Sequence, residues 1–324
     1  MVKRHLIQTF FIFLILSSCS SKKDLLPNVS GKPGEVVIII EKNLWNSSIG
    51  EELKKHLMVD YPALPQDEPT FSLYPLPPEN FNDIFQLSRN IIFININSVN
   101  DSIIYTRDKW AKPQLVIKIM SKDINKMTEL IKNKGQEIKE IILNEERTRL
   151  KMVYNKFREK SLINVLKKHY IDLIIPTGYR LNLDTNGFIW ISYETPYMSQ
   201  GLFVYSVPYK DTSIFNPQNV VSIRDSVLKR YIPGPLEGTY MTTEHLYPVE
   251  EKRFTLNNQF AYEIRGLWKI ENDFMGGPFV NISTVVKNKV VFVEGYVYAP
   301  KDDKKTYVWQ LEAILYSLKQ INNI

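Results

Sequence analysis

One stretch constrains this chain more than any other. From Asp123 to Tyr170 there is no proline and a single glycine, Gly135. Apolar residues fall at Ile124, Met127, Ile131, Ile138, Ile141, Ile142, Leu150, Val153, Phe157, Leu162, Val165 and Leu166. That spacing puts one apolar stripe along a helix. The segment is therefore expected to be helical, with Gly135 breaking or bending it into two helices. The charged run Glu145 to Lys151 reads as a solvated helix face.

The regions on either side read differently. Val36 to Ile40 is a continuous β-branched run, the mark of a strand buried on both faces. A helix is expected over 48–58, and irregular or edge-strand structure over the proline-rich 61–78. A short helix at 78–88 and strands at 90–97 and 114–120 complete this half. Beyond Ile171 the texture changes, with nine of the thirteen glycines lying there. Strands are expected at 171–175, 179–183, 187–195, 201–208, 258–270, 279–286 and 289–298, with helices at 219–231 and 306–321. Asp184-Thr185-Asn186-Gly187 is a hairpin turn by type, because Asn-Gly tolerates positive φ. The pattern predicts an α+β fold: mostly antiparallel sheets flanked by helices, in two sheet-containing halves (35–170 and 171–324) joined by the long helical segment. The order of elements in the second half is similar to the sandwich of the photosystem-associated P subunit and of Mog-type proteins.

The N-terminus reads as an export signal. Lys3 and Arg4 precede an apolar core, Leu6 to Leu16, and then Ser17, Ser18 and Cys19. The core is too short to span a bilayer, which takes ~20 apolar residues. Leu16-Ser17-Ser18-Cys19 resembles the lipobox of bacterial lipoproteins, which implies removal of 1–18 and acylation (palmitate among the chains) of Cys19. That is the only cysteine in the chain, so no internal disulfide competes for it. Residues 19–34 read as a flexible tether. The expected home is the cell envelope; the resemblance to lipoproteins in which an acidic run after the cysteine goes with surface display implies the outer membrane facing the periplasm, since the residues after Cys19 are basic here. The formal charge of +6 becomes +4 once Lys3 and Arg4 leave with the signal. Acids and bases are interspersed, so no nucleic-acid partner is expected.

Searching for chemistry yields little. HExxH, GxSxG, GxGxxG and the P-loop are absent, and no two histidines have ligand spacing. No metal, cofactor or catalytic set is expected. Two loop segments stand out instead. One is Pro233 to His245, with Tyr240, Glu244 and His245. The other is Gly266 to Phe279, with Trp268, Asp273, Met275, Gly276, Gly277 and Phe279. Paired glycines let a backbone approach a ligand or another chain, and the apolar side chains are of the kind enriched at interfaces. These residues are the candidate binding site, for an envelope protein or a glycan. The alternative is an envelope hydrolase or carbohydrate-active enzyme using Glu244, His245 or Asp273 as acid and base. Two tripeptides, Asp101-Ser102-Ile103 and Asp225-Ser226-Val227, match the O-glycosylation pattern of exported Bacteroidota proteins. Ser226 falls in an expected helix, which leaves Ser102.

With its lipobox, its VVII strand, PGPLEGTYMTTE at 233–244 and GLWK…DFMGGPF at 266–279, the chain resembles the Bacteroidota lipoproteins grouped as domain of unknown function 4837. The resemblance implies an envelope location. It brings no established activity and therefore no mechanism.

Overall fold

The computed structural model describes residues 25–321 except 186. The expected signal segment, the expected lipidation site Cys19, and Asn186 of the expected hairpin turn lie outside the described residues.

The first sheet has five strands, β1 (Glu35–Ile39), β2 (Ser72–Leu76), β3 (Asn90–Asn95), β4 (Ser102–Arg107) and β5 (Leu115–Met120), in the order β2-β1-β3-β5-β4. Its pairings are parallel except β4 with β5. Proline-containing β2 is an edge strand, as a residue without an N–H requires. β4 is missed in the sequence, where SIIYTR is only half apolar, as are two strands of the second half, at Met241–Thr243 and Glu250–Leu256. Parallel neighbours bury both faces, and period two separates them. Val36, Ile38, Ile92, Ile94, Ile117 and Ile119 join the main core, while Val37, Ile39, Ile91 and Val116 pack under Phe81, Phe85, Phe93 and Trp110.

Two short helices follow β1: α1 (Lys42–Trp45) and α2 (Ser48–Leu57), the second started by the Ser47 side chain accepting from Ile49 N–H. A third, α3 (Asp83–Gln86), precedes β3. Then comes α4 (Ile124–Lys156), capped by Asp123, whose carboxylate accepts from Lys126 N–H. Gly135 does not break it. A Cβ there would lie 2.4 Å from the His56 ring, so this glycine lets α2 cross close over α4. The helix ends later, where the backbone is claimed elsewhere: Thr177 N–H donates to Phe157 C=O and Glu159 N–H to Ile175 C=O. After this break α5 (Ser161–Lys167) follows.

Residues 27–34 of the expected tether are held by the body. From Pro27 the chain is hydrogen-bonded to the body, with Lys112 N–H donating to Pro27 C=O and Ser30 N–H to Leu87 C=O.

The second half contributes β6 (Ile171–Asp172), β7 (Arg180–Thr185), β8 (Phe188–Glu194), β9 (Ser199–Pro208), α6 (Pro217–Tyr231), β10 (Met241–Thr243), β11 (Glu250–Leu256), β12 (Gln259–Ile270), β13 (Gly276–Val286), β14 (Lys289–Tyr298), α7 (Lys305–Leu315) and β15 (Lys319–Gln320). Eight of these strands form an antiparallel sheet in the order β10-β12-β13-β14-β9-β8-β7, with β11 beside β10 on the same edge of β12. The last residues turn into β15 against β6, where the sequence suggests continued helix.

This sheet divides its two faces by shape. Ile189, Ile191, Leu202, Val204, Ile282, Val291, Val293 and Val297 face α7 and the first half; Phe188, Phe203, Tyr205, Tyr262, Trp268, Phe279, Phe292 and Tyr296 face α6. The aliphatic core runs without interruption from the first sheet through α4 and α7 to the second, so the halves share one interior.

The charged run on α4 is not a solvated face. Glu145, Glu146, Arg147 and Arg149 are buried. Glu146 accepts from Gly34 N–H at 3.3 Å, Asn90 Nδ2 at 2.8 Å, Arg149 Nη1 at 3.0 Å and Arg89 Nη2 at 2.7 Å, tying the entering chain to β3 and α4. Arg147 reaches across to α7, where its Nε donates to Glu312 at 2.9 Å. Tyr61 also donates to Glu312, and Arg265 on β12 pairs with it at 3.1 Å. Charged residues at helical spacing mark a solvated face only when no oppositely charged element packs on them.

Candidate functional site

The two singled-out loop segments do meet, at the end of the sheet beyond α6. Residues 232–240 fold back on themselves: Gly234 N–H donates to Thr239 C=O at 2.8 Å, and Thr239 Oγ1 to Leu236 C=O at 2.6 Å. A Cβ at Gly234 would lie 2.3 Å from Thr239 Oγ1 and 2.5 Å from Ile270, so the loop needs glycine to sit on β12. Residues 271–275 form the β12–β13 turn. Asp273 accepts from Met275 N–H at 2.9 Å, and Met275 C=O accepts from Ile270 N–H.

Between these loops and the β8–β9 turn lies a groove of about 610 Å³. Its aromatic lining comes from three strands and a turn: Trp190 (β8), Tyr197 (turn), Trp268 (β12), and Tyr296 and Tyr298 (β14). Met275, Pro233, Pro235 and Pro300 complete its apolar wall. The members of this wall hold one another. Trp268 Nε1 donates to Val297 C=O at 3.1 Å, Trp190 Nε1 to the Tyr296 hydroxyl at 3.2 Å, and the Tyr296 ring stacks on Phe203 at 4.9 Å. Gly201 opposite Tyr296 makes this possible, since a Cβ there would stand 1.9 Å from the ring. Burial pushes the Tyr296 hydroxyl up to about 12, so it stays a neutral donor and acceptor at physiological pH. Glu194 is the only charged residue of the lining among the described residues, and its carboxylate accepts from Ser199 Oγ at 2.8 Å.

The candidate residues divide. Trp268 and Met275 line the groove. Gly277 lies behind it, where a Cβ would meet Val297 C=O at 2.0 Å; at Gly276 a Cβ would meet Trp268 C=O at 2.7 Å. Both glycines serve strand packing rather than access by a ligand. Phe279 is 1% exposed and packs under α6, with the Arg224 guanidinium 3.9 Å from its ring centre, so it is a core residue rather than a contact surface. Tyr240 stands beside the groove with Lys229 Nζ 4.6 Å from its ring centre.

Glu244, His245 and Asp273 do not assemble. Asp273 is engaged by the turn it closes, and Glu244 accepts from Leu246 N–H at 3.0 Å. His245 faces a separate groove of about 540 Å³ beside α6, where its Nε2 lies 3.0 Å from Asp225. Asp225 is held by Thr243, whose N–H and Oγ1 both donate to it, at 2.8 and 2.7 Å. The three proposed acid–base residues share none of the described pockets, so proton transfer within one site lacks its geometry. Among the described residues there is no cluster of three or more His, Cys, Asp or Glu able to hold a metal, and no helix is long and apolar enough to cross a membrane.

Sequence reasoning missed Trp190, Glu194, Tyr197, Tyr296 and Tyr298. The available signal was alternation, which puts Tyr296 and Tyr298 on one face of their strand. Nothing local says that β8 and β14 end at the same place. Ser102 lies on β4, half-buried and opposite Met120, at the sheet edge.

Among curated proteins, none matches the chain. Several solved structures resemble part of it. The cyanobacterial PsbP (CyanoP) of Synechocystis sp. PCC 6803 overlays at a TM-score of 0.34 with 9% identity, covering 47% of this chain and 88% of that one. LpqN of Mycobacterium tuberculosis, described as involved in cell envelope biogenesis, overlays at 0.28 with 16% identity, covering 46% and 82%. The human StarD13 lipid transfer and protein localization domain overlays at 0.23 with 10% identity, covering 49% and 93%. Agreement at this level decides nothing about what the chain does. Family models describe more of it: residues 29–155 match Domain of unknown function (DUF8532) and residues 157–317 match Domain of unknown function (DUF4837), so the chain joins two domains of unknown function end to end.

Proposed function

We propose that this protein is a lipid-anchored envelope lipoprotein whose body is a binding module, holding a partner in the aromatic groove at the end of the second sheet. One observation carries this reading. Two loop segments distinctive in sequence converge on a groove walled by aromatic side chains. Concave, mostly apolar sites with a few placed polar groups are where ligands bind. Tyr197 (72% exposed), Leu236 and Phe274 are solvent-exposed residues of the three loops around it, and exposed aromatic and aliphatic side chains rimming a pocket favour capture of a partner.

The anchor rests on Lys3, Arg4, the apolar core and the Leu16-Ser17-Ser18-Cys19 lipobox. Because the chain is hydrogen-bonded to the body from Pro27 onward, residues 20–26 alone are left to link lipid and body. They span at most ~25 Å, so the body works close to the bilayer. A Cys19→Ala chain is expected to leave the membrane fraction and lose its lipid; recovery of that variant in membranes with acyl chains attached would overturn the anchor.

The groove is tested by crosslinking in living cells followed by purification of the native lipoprotein. One envelope partner should recur, and a Tyr197→Ala, Met275→Ser double variant should lose it while its thermal unfolding midpoint stays near that of the parent. Capture undiminished in the folded variant would remove the site assignment.

A further inference from the structure

The charge pattern of the groove narrows the ligand. We infer that the aromatic groove recognises a cation, an alkylammonium group such as a quaternary amine or a lysine side chain presented by the partner. This rests on the binding-module reading and goes one step past it.

The lining holds five aromatic side chains and one charge, and that charge is negative. No lysine, arginine or histidine lines the groove. A phosphate, a carboxylate or an anionic headgroup would therefore face Glu194 and an aromatic wall, with no cation in the lining to receive it. An ammonium meets the opposite situation. Ring faces attract it through their quadrupole, Trp most strongly, and a nearby carboxylate adds direct charge pairing.

Glu194 is aimed for this role. It lies at the end of β8, opposite Ser199 in the hairpin register, and Ser199 Oγ donates to its Oε1. The Ser199 bond occupies one carboxylate oxygen and leaves the other free to pair. The carboxylate is exposed to solvent, at the mouth of the groove, and close enough to Tyr296 to act on its hydroxyl. The turn that carries Tyr197 is ordered as well. Thr195 Oγ1 accepts from Tyr197 N–H at 3.3 Å and from Met198 N–H at 3.0 Å, so this exposed ring projects from a fixed base next to the carboxylate.

The test is a titration of the full, detergent-solubilised chain with choline chloride and, separately, with 3,3-dimethylbutan-1-ol, an uncharged molecule of the same shape. Fluorescence of Trp190 and Trp268 reports occupancy. Choline is expected to bind saturably and about tenfold more tightly than the alcohol. Glu194→Gln should weaken choline by a similar factor and leave the alcohol unchanged, with the circular dichroism spectrum unaltered. Equal binding of the two molecules, or choline binding insensitive to Glu194→Gln, overturns cation recognition and leaves a merely apolar groove. Absence of binding by either also overturns it. The binding-module reading then stands or falls separately, on whether the Tyr197→Ala, Met275→Ser variant loses its cellular partner.

Discussion

Replacing Glu312 with alanine is expected to destabilise the fold by about 3–5 kcal/mol, the usual cost of leaving buried charge without its partner. Glu312 is fully buried on α7 and gathers three elements from the rest of the chain: Tyr61 after α2, Arg147 on α4 and Arg265 on β12. Around it, Glu263 takes the other side of Arg265, and Tyr316 donates to Glu263 at 2.7 Å. The cluster balances two cations against two anions, so the alanine variant buries a net positive charge between the halves. Glu312→Gln keeps hydrogen-bonding atoms in place and should cost less, which separates loss of charge from loss of volume. Burial opposes the charge on Glu312, but Arg265 and Arg147 outweigh it and hold the carboxyl below its ordinary value. The stabilisation is therefore present in full above the ordinary carboxylate range and is lost as pH falls through the depressed value. Urea unfolding of parent and variant should show the full gap at neutral pH and a narrowing gap on acidification. A gap under about 1 kcal/mol at neutral pH would mean that the cluster contributes no more than a surface ion pair.

The second large effect concerns Phe279, which its sequence neighbourhood presents as part of a contact loop. Phe279→Ala is expected to cost about 3–5 kcal/mol, as for other fully buried aromatic side chains. Its ring sits under α6 beside Gly266, with the Arg224 guanidinium over one face. Arg224 is itself fully buried and paired with Glu294 at 2.8 Å, and burial raises the Glu294 carboxyl despite that partner. Removing the ring opens space beside an ion pair that is already costly to bury. Met275, only half-buried in the preceding turn, should tolerate serine with little loss of stability. Thermal denaturation of the two single variants would decide the matter. Near-equal midpoints would put Phe279 back among the candidate surface residues. This contrast is the reason that partner capture is tested with Tyr197 and Met275.

Much of the architecture was legible in the residues. Local pattern carries periodicity, and periodicity separates strands from helices. The β-branched run at Val36–Ile40, the alternating strands beyond Gly187 and the stripe on α4 all form what their spacing predicts. The α+β class follows from their order. The misreadings share a cause. Gly135 lacks a side chain because α2 crosses there; Glu145, Glu146 and Arg147 are charged because Arg107, Arg89 and Glu312 from outside the helix meet them; the helix stops at Phe157 because residues 175–177 take its backbone hydrogen bonds. None of these reasons lies within a few residues of the feature it explains.

The site shows the same division. The two loop segments could be singled out, because glycine, proline and aromatic residues concentrate in them. Their tertiary setting then decides which side chains face solvent. It turns Phe279 and Trp268 toward the aromatic core, leaves Trp268 and Met275 on the groove wall, and separates His245 from Asp273. It also supplies Trp190, Glu194 and Tyr296 from strands as much as 106 residues apart in the chain. By itself the sequence determined most of the elements and, through their order, the α+β class. The groove and its single negative charge were decided by the pairing of β8, β9 and β14, because strand pairing depends on long-range hydrogen bonds and burial that local spacing does not encode.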